Sequence, residues 1–286
     1  MTVVSQISHV MSEGDEIYYE VRGQGQPLLL IPGGGGDGWW YTLIAERLAD
    51  EYKVITYDRR ANARSTMNFP QNFEISQQSR DAVAVLHAAG EQSAFVFGNS
   101  SGAVIALDMA KIQPQAARAV IVHEPPLATV HPNAKKWHRF FASVYSTAFQ
   151  FGASIAALRF AIGVGLPLQA SIKGSKDLKL HVEKYNEVRI SPEDTTNVLI
   201  KQELLPVTNY LPDIEAIRKN GVRVFMANGK ISVEKKRFYA ETVPILAEKL
   251  GCEMITFPGH HISFFDMPDE WASTLRRILH KLGNSQ

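Results

Sequence analysis

The chain has 286 residues, of which 45% are hydrophobic and 21% are charged, and its formal net charge is +1. This composition is typical of a globular protein with a large core and excludes a disordered or fibrous chain. The small net charge, with no basic stripe, argues against nucleic acid or an anionic membrane as a partner. Cys252 is the single cysteine, which excludes an intrachain disulfide and a cysteine-rich metal site.

The N-terminal residues do not resemble a targeting signal. Residues 1–16 lack the basic region and the long apolar region of a signal peptide. No apolar run approaches the length that a membrane span requires. We therefore expect a cytoplasmic protein with no membrane span, whose oligomeric state the sequence leaves open, a homodimer included.

Strand-like apolar runs alternate with helical patterns along most of the chain. A hairpin signal covers residues 7–21, and buried strands are predicted at 28–31, 54–57, 94–97, 119–122, 222–227 and 254–257. Helical patterns cover residues 39–49, 76–89, 103–110 and 271–282. Continuous apolar strands between helices predict an α/β fold with a mostly parallel sheet flanked by helices on both faces. The antiparallel hairpin would lie at its N-terminal edge.

One long segment breaks this alternation. Residues 127–220 are helix-like and contain the aromatic residues Trp137, Phe140, Phe141, Tyr145, Phe149, Phe151 and Phe160. We expect a helical cap inserted after the sixth strand, between a first core part (1–126) and a second (221–286). Most of these aromatic side chains are predicted to form the core of the cap, and a few to line an apolar pocket.

The segment Gly98-Asn99-Ser100-Ser101-Gly102 lies between a predicted buried strand and a predicted helix. In that context G-x-S-x-G is typical of a nucleophile elbow, in which the serine hydroxyl points out of the sheet. The N-terminus of the following helix would direct its amides at an oxyanion on the attacked carbonyl. The alternative is a simple Gly/Ser turn. We predict that Ser100 is a nucleophile.

A serine nucleophile requires a base, and the best candidates follow the last predicted strand, at His260 and His261. Four segments of the chain resemble the α/β-hydrolase superfamily: PGGGG at 32–36, YDRR at 57–60, GNSSG at 98–102 and PGHHISFFDMPDEWA at 258–272. The resemblance implies the α/β-hydrolase fold over nearly the whole chain. It selects His261 as the base and leaves His260 at a variable position.

The triad acid departs from the family pattern. The resemblance implies an aspartate after the strand at 222–227, but Ser232 stands there and Glu234 comes two residues late. Glu124 ends the strand that follows the nucleophile strand, so its carboxylate could reach His261 and fix the tautomer of the imidazole. We therefore predict Glu124 as the acid, with Glu234 as the alternative.

Two other carboxylates are candidates for the same role. Asp58 also ends a strand, but it precedes Arg59 and Arg60 and is interpreted as part of a structural salt bridge. Asp266 lies too close in sequence to His261 for an assignment.

The oxyanion hole requires two donors. The resemblance implies the backbone N–H groups of Ser101 and Gly34, with Pro32-Gly33 standing where the family has His-Gly. The glycine run lacks the context of a phosphate loop, so a nucleotide site is not expected. Ala61 replaces a glycine that is usual after the DRR motif, and the sequence offers no functional reading of it.

The chain combines GNSSG at 98–102, HEPP at 123–126, a P-x-G loop at 32–34 and no aspartate after the strand at 222–227. This combination resembles the fungal zearalenone lactonases, which implies a Ser–Glu–His triad of Ser100, Glu124 and His261. This implies a serine hydrolase that cleaves a lactone or carboxylic ester of a small apolar substrate through an acyl-enzyme, with no metal and no organic cofactor. Two alternatives stay open. One is a cofactor-free non-hydrolytic enzyme or C–C bond hydrolase on the same scaffold. The other is a ligand-binding pseudoenzyme, which a Ser–His distance too long for a hydrogen bond would favour.

Overall fold

The structure is a computed structural model that describes residues 5–68, 72–181 and 188–283. It contains an eight-stranded sheet with the order β1-β2-β4-β3-β5-β6-β7-β8. The strands are β1 (Gln6–Ser12), β2 (Asp15–Arg22), β3 (Gln26–Ile31), β4 (Tyr52–Tyr57), β5 (Ala94–Asn99), β6 (Ala117–His123), β7 (Arg223–Gly229) and β8 (Met254–Phe257). The β1–β2 and β2–β4 pairs are antiparallel and the other five are parallel. The predicted α/β-hydrolase fold, with its antiparallel edge, is confirmed.

The helices cover both faces of this sheet and fill the interval between β6 and β7. They are α1 (Thr42–Leu48), α2 (Ile75–Ala88), α3 (Ser101–Ile112), α4 (Ala134–Phe151), α5 (Ala153–Val164), α6 (Leu168–His181), α7 (Pro192–Val198), α8 (Leu204–Thr208), α9 (Ile214–Asn220), α10 (Lys230–Glu234), α11 (Phe238–Leu250), α12 (Ser263–Asp266) and α13 (Pro268–Gly283). The helix predicted at 39–49 is divided into a 3₁₀ turn, Gly38–Tyr41, and α1.

Alternate residues of the central strands enter two apolar clusters, one on each face of the sheet. Leu29 and Val96 pack with residues of α2, α3 and α11, whereas Leu28 and Phe97 pack with residues of α1 and α13. Because both faces are covered, both side-chain sets of a central strand are apolar. This burial explains the uninterrupted apolar runs in the sequence.

A third apolar cluster joins the helices inserted between β6 and β7 to Phe238, Tyr239 and Ala240 of α11. Its members on α4 follow one helical stripe, which includes Trp137, Phe141 and Val144. Phe149 and Phe151 do not lie on that stripe, and their side chains are 63% and 64% exposed. The expectation of an interior position is therefore wrong for these two aromatic residues.

Among the described residues, no single helix is long and apolar enough to cross a membrane. The pair formed by α5 and the segment Leu168–Gly174, bent by 117°, passes the same test by length and composition only.

Candidate active site

Ser100 lies on a sharp turn between β5 and α3, with φ 56° and ψ −121°. A Cβ atom at Gly98 would lie 2.2 Å from the carbonyl oxygen of Gly102, and one at Gly102 would lie 2.2 Å from that of Ile31. Both positions therefore require glycine, because the backbone of the elbow touches itself and β3. The strand–turn–helix context expected for the motif is present.

The two expected oxyanion donors lie beside Ser100. Ser101 is the first residue of α3, so its amide has no acceptor one turn earlier. A Cβ atom at Gly34 would lie 3.8 Å from Oγ of Ser101, and one at Gly33 would lie 3.1 Å from Cβ of Ser100. Within the described residues, neither the Gly34 nor the Ser101 amide donates to a protein acceptor.

Glu124 and His261 form a buried pair. Oε2 of Glu124 lies 2.7 Å from Nδ1 of His261, and its Oε1 accepts a 2.8 Å hydrogen bond from the amide of Gly229. The amide of Glu124 donates to the carbonyl of Ala227, although the residue has a φ of 51°. The carboxylate of Glu124, which directly follows β6, thus lies against the end of β7. The usual family pattern places an aspartate after that strand.

The environment of Glu124 favours the ionised carboxylate. Burial alone would raise the pKa of this carboxyl. The neighbouring imidazoles of His123 and His261 and the hydrogen bond from Gly229 together hold its pKa below the ordinary value of 4.5. A carboxylate in this state fixes Nδ1 of His261 as the protonated nitrogen and leaves Nε2 as a base.

Ser232, at the position of the family aspartate, and Glu234, the alternative acid, both lie on α10, which follows β7. Ser232 is buried in α10, whereas Glu234 is exposed on the same helix. Neither makes a hydrogen bond to His261 in the described structure.

The remaining candidates have partners of their own. Asp58 accepts hydrogen bonds from Nε and Nη2 of Arg64 at 2.6 and 2.8 Å, so its interpretation as a structural ion pair is confirmed. Nε2 of His260 lies 3.2 Å from Oδ2 of Asp266.

No hydrogen bond joins Ser100 and His261 in this structure, although both line the same cavity, and this is the observation that favours the ligand-binding pseudoenzyme among the alternatives. Hydrogen bonds between catalytic groups are often long in the absence of substrate and shorten when the substrate binds. Since Glu124 fixes His261 from one side, the remaining freedom lies in the rotation of the Ser100 side chain.

Two aromatic neighbours of His261 were not found by the sequence analysis. His123 is fully buried, with Nδ1 2.7 Å from Oδ1 of Asn99, and burial lowers its pKa to about 4. The ring of Tyr239 lies 4.0 Å from that of His261, and burial raises the pKa of its hydroxyl. His123 directly precedes Glu124 at the end of β6, and this position in the sequence could have indicated that it lies near the site.

His123, Glu124 and His261 also offer three potential metal ligands within 4.8 Å of one another. The 2.7 Å separation of Nδ1 and Oε2 is a hydrogen-bond distance. Two ligand atoms of a tetrahedral zinc ion would lie roughly 3.3 Å apart. The geometry therefore fits a hydrogen bond from the Nδ1–H group of His261 to the carboxylate of Glu124 and does not fit a metal-binding cluster.

A cavity of about 130 Å³ opens above the elbow, and apolar side chains from the inserted helices form one part of its wall. They include Phe160, Val164, Leu199 and Leu204. Its polar side chains include Glu203, which the sequence analysis did not select. No motif marks this residue, because its place depends on how the inserted helices pack on the sheet.

Comparisons with known proteins agree with this architecture. Residues 26–189, more than half of the chain, match the family model for the alpha/beta hydrolase fold. The uncharacterized hydrolase YraK of Bacillus subtilis is 29% identical over 274 residues, which cover 94% of each chain.

Two solved structures share the fold. The enol-lactonase of Burkholderia xenovorans LB400 has a TM-score of 0.70 at 16% identity, over 96% of this chain and 100% of the other. A carboxylesterase structure from Nitrososphaera gargenis has a TM-score of 0.72 at 18% identity, over 98% and 100%. The chain therefore belongs to the alpha/beta hydrolase family.

Proposed function

We propose that this hydrolase cleaves a lactone or carboxylic ester of a small apolar substrate through a covalent acyl-enzyme. The observation that carries the proposal is the buried Glu124–His261 pair beside the strained Ser100 elbow. A nucleophile, a base and a group that orients the base are the parts that serine catalysis requires. No cofactor takes part in the proposed reaction.

The reaction would begin with transfer of the Ser100 hydroxyl proton to Nε2 of His261 as Oγ attacks the substrate carbonyl carbon. The oxyanion that forms would accept hydrogen bonds from the amides of Gly34 and Ser101. Collapse of the tetrahedral intermediate breaks the ester C–O bond, and His261 returns the proton to the leaving alkoxide. Water then repeats both steps on the acyl-enzyme, and free acid and Ser100 are released.

The substrate class follows from the cavity wall. We propose that segment 127–220 acts as a cap whose apolar side chains select the substrate. The enol-lactonase and carboxylesterase neighbours support ester and lactone chemistry on this fold. The resemblance of the sequence motifs to those of zearalenone lactonases makes a zearalenone-type lactone the specific candidate.

The test is hydrolysis of p-nitrophenyl esters and of aryl macrolactones that include zearalenone. Ser100→Ala should reduce turnover to the uncatalysed background. Glu124→Gln keeps the size of the side chain and loses its charge, so kcat should fall roughly 10²- to 10⁴-fold. Glu234→Gln removes an equal charge from an exposed position and should behave as the wild type.

Two outcomes would contradict the proposal. Full activity of Glu124→Gln together with loss in Glu234→Gln would move the acid to α10. Absence of ester and lactone hydrolysis by the wild type would favour the non-hydrolytic enzyme or the ligand-binding pseudoenzyme.

A further inference from the structure

Glu203 lies at the end of a π-helical turn, Leu199–Glu203, that joins α7 to α8. This turn lies above residues 32–36, which contain the proposed donor Gly34 and are here called the oxyanion loop. A Cβ atom at Gly34 would lie 2.8 Å from Cδ1 of Leu199, so this turn rests directly on the loop. A π-helical turn holds one residue more than an α-helical turn and redirects the side chains around it. Such turns are frequent at functional sites.

The carboxylate of Glu203 is buried and only half of it has a partner. Its Oε1 lies 2.8 Å from Nη2 of Arg59, and the two side chains are 1% and 0% exposed. The same Nη2 donates to the carbonyl of Gly33 at 2.7 Å. Arg59 therefore contacts both the oxyanion loop and the carboxylate of Glu203 and holds them together.

The second oxygen, Oε2, is buried and has no hydrogen-bond partner among the described residues. Glu203 belongs to the wall of the cavity that also contains Ser100 and His261. A buried charged acceptor without a donor is unfavourable. A ligand with an N–H or O–H group in the cavity would remove this penalty.

We infer that Oε2 of Glu203 accepts a hydrogen bond from the substrate. The preferred substrates are then esters or lactones with a hydroxyl or amide N–H close to the reacting carbonyl. This inference rests on the proposed function and narrows its substrate class. An ester without such a donor would leave Oε2 of Glu203 buried without a hydrogen bond. A site that forms a hydrogen bond to its substrate discriminates strongly against an analogue that lacks the donor.

A matched substrate pair tests the inference: p-nitrophenyl 3-hydroxybutyrate and p-nitrophenyl 3-methoxybutyrate, in which a methyl group replaces the donor hydrogen. For the wild type we expect kcat/KM to favour the hydroxy ester by roughly 10- to 100-fold after correction for the uncatalysed rates. In Glu203→Gln, Arg59 retains the amide oxygen and the NH₂ group faces the cavity. The preference should then fall to about one, because a donor has replaced the acceptor.

The ratio between the two esters separates recognition from structural damage. Loss of the charge that pairs with Arg59 could disturb the oxyanion loop, but such damage lowers both rates and leaves their ratio unchanged. Glu234→Gln provides the control for the change in net charge and should keep the wild-type ratio. A wild-type ratio near one, or a ratio unchanged in Glu203→Gln, would overturn the inference and leave Glu203 as a structural ion-pair partner.

A binding measurement keeps this result independent of the proposed function. Methyl 3-hydroxybutyrate and its 3-methoxy analogue are titrated calorimetrically into Ser100→Ala and into Ser100→Ala/Glu203→Gln. Tighter binding of the hydroxy ester only when Glu203 is present supports the inference even if no ester is hydrolysed. Equal binding of the two esters to Ser100→Ala contradicts it, whatever the activity of the wild type.

Discussion

At the scale of single residues, Ser100 and Glu124 are non-glycine residues with left-handed backbone at the ends of adjacent strands. Such backbone costs about 1–3 kcal/mol per residue and persists where surrounding contacts hold it. The amide of Ser100 donates to the carbonyl of His123, so the two turns support one another. Ala61 has a φ of 62°, which gives a physical reason for the glycine usual at that position.

The sequence predicted the positions of Ser100, Glu124 and His261 at one rim of the sheet because each follows a recognisable strand. Their roles stay predictions. Glu203 could not be predicted, because its partner Arg59 is 144 residues away and the contact depends on how the inserted helices pack. The environment of His123 was missed because its burial depends on rings from other strands, among them Phe97 and Phe257.

The burial of His123 predicts loss of stability in mild acid. Its pKa is about 4 in the folded chain against an ordinary value of 6.5, so between these values the unfolded chain binds the proton and the folded chain does not. The free energy of unfolding should therefore decrease as the pH falls from 6.5 to 4, by up to about 3 kcal/mol. Urea denaturation at several pH values measures this slope.

His123→Asn identifies the source of the slope. The amide can keep the hydrogen bond to Asn99 and does not titrate, so the slope between pH 6.5 and 4.5 should flatten although overall stability is lower. Glu124 also loses stabilising ionisation in acid, but its lowered pKa places that loss below pH 4.5. His87→Asn, on an exposed face of α2, is the control and should keep the wild-type slope. An unchanged slope in His123→Asn would refute the prediction.

At the scale of elements, hydrophobic periodicity predicted every strand of the sheet to within a few residues, since each buries an apolar run. The inserted helices were predicted only as a segment. Their boundaries depend on local breaks, such as Gly152, and on the π-helical turn, for which composition gives no signal.

The close contact between α3 and β3 predicts a large effect of one methyl group. In Gly102→Ala the new Cβ would meet the carbonyl of Ile31 at 2.2 Å, so α3 must move away from the strand. We expect the free energy of unfolding to fall by about 1–3 kcal/mol, with a matching loss of activity as the elbow shifts. Gly283→Ala, whose nearest contact is 3.7 Å, should change stability by less than about 0.5 kcal/mol. Equal stabilities of the two variants in denaturant titrations would contradict this account.

At the scale of the whole molecule, buried ion pairs connect parts of the chain that are distant in sequence. Arg60, which follows β4, binds Asp81 of α2 at 2.7 Å and also Asp15 at the start of β2. Arg64 in the same loop binds Asp58 and Glu20. These contacts fix the antiparallel edge of the sheet to the loop after β4 and to α2.

Removal of one central cation should therefore destabilise the fold. Arg60→Ala would leave the carboxylates of Asp15 and Asp81 buried without their partner, at a cost of about 3–5 kcal/mol in the free energy of unfolding. Arg80→Ala removes an arginine that pairs with Glu13 at a partly exposed position, and should cost no more than about 1 kcal/mol. Thermal and chemical unfolding of both variants measure the difference, and similar losses would show that burial of the pair is not the deciding factor.

The ion pair between Arg59 and Glu203 constrains which substitutions the chain can accept. If one of the two residues were replaced, the other would be buried without its ion-pair partner, which is strongly destabilising. A substitution at one position therefore favours a compensating substitution at the other. Relatives that replace Glu203 with an apolar residue should then also have lost the arginine and have found another support for the carbonyl of Gly33. Positions 59 and 203 should therefore covary across the family. This covariation would divide the relatives into one group with a polar residue and one group with an apolar residue in this part of the cavity wall.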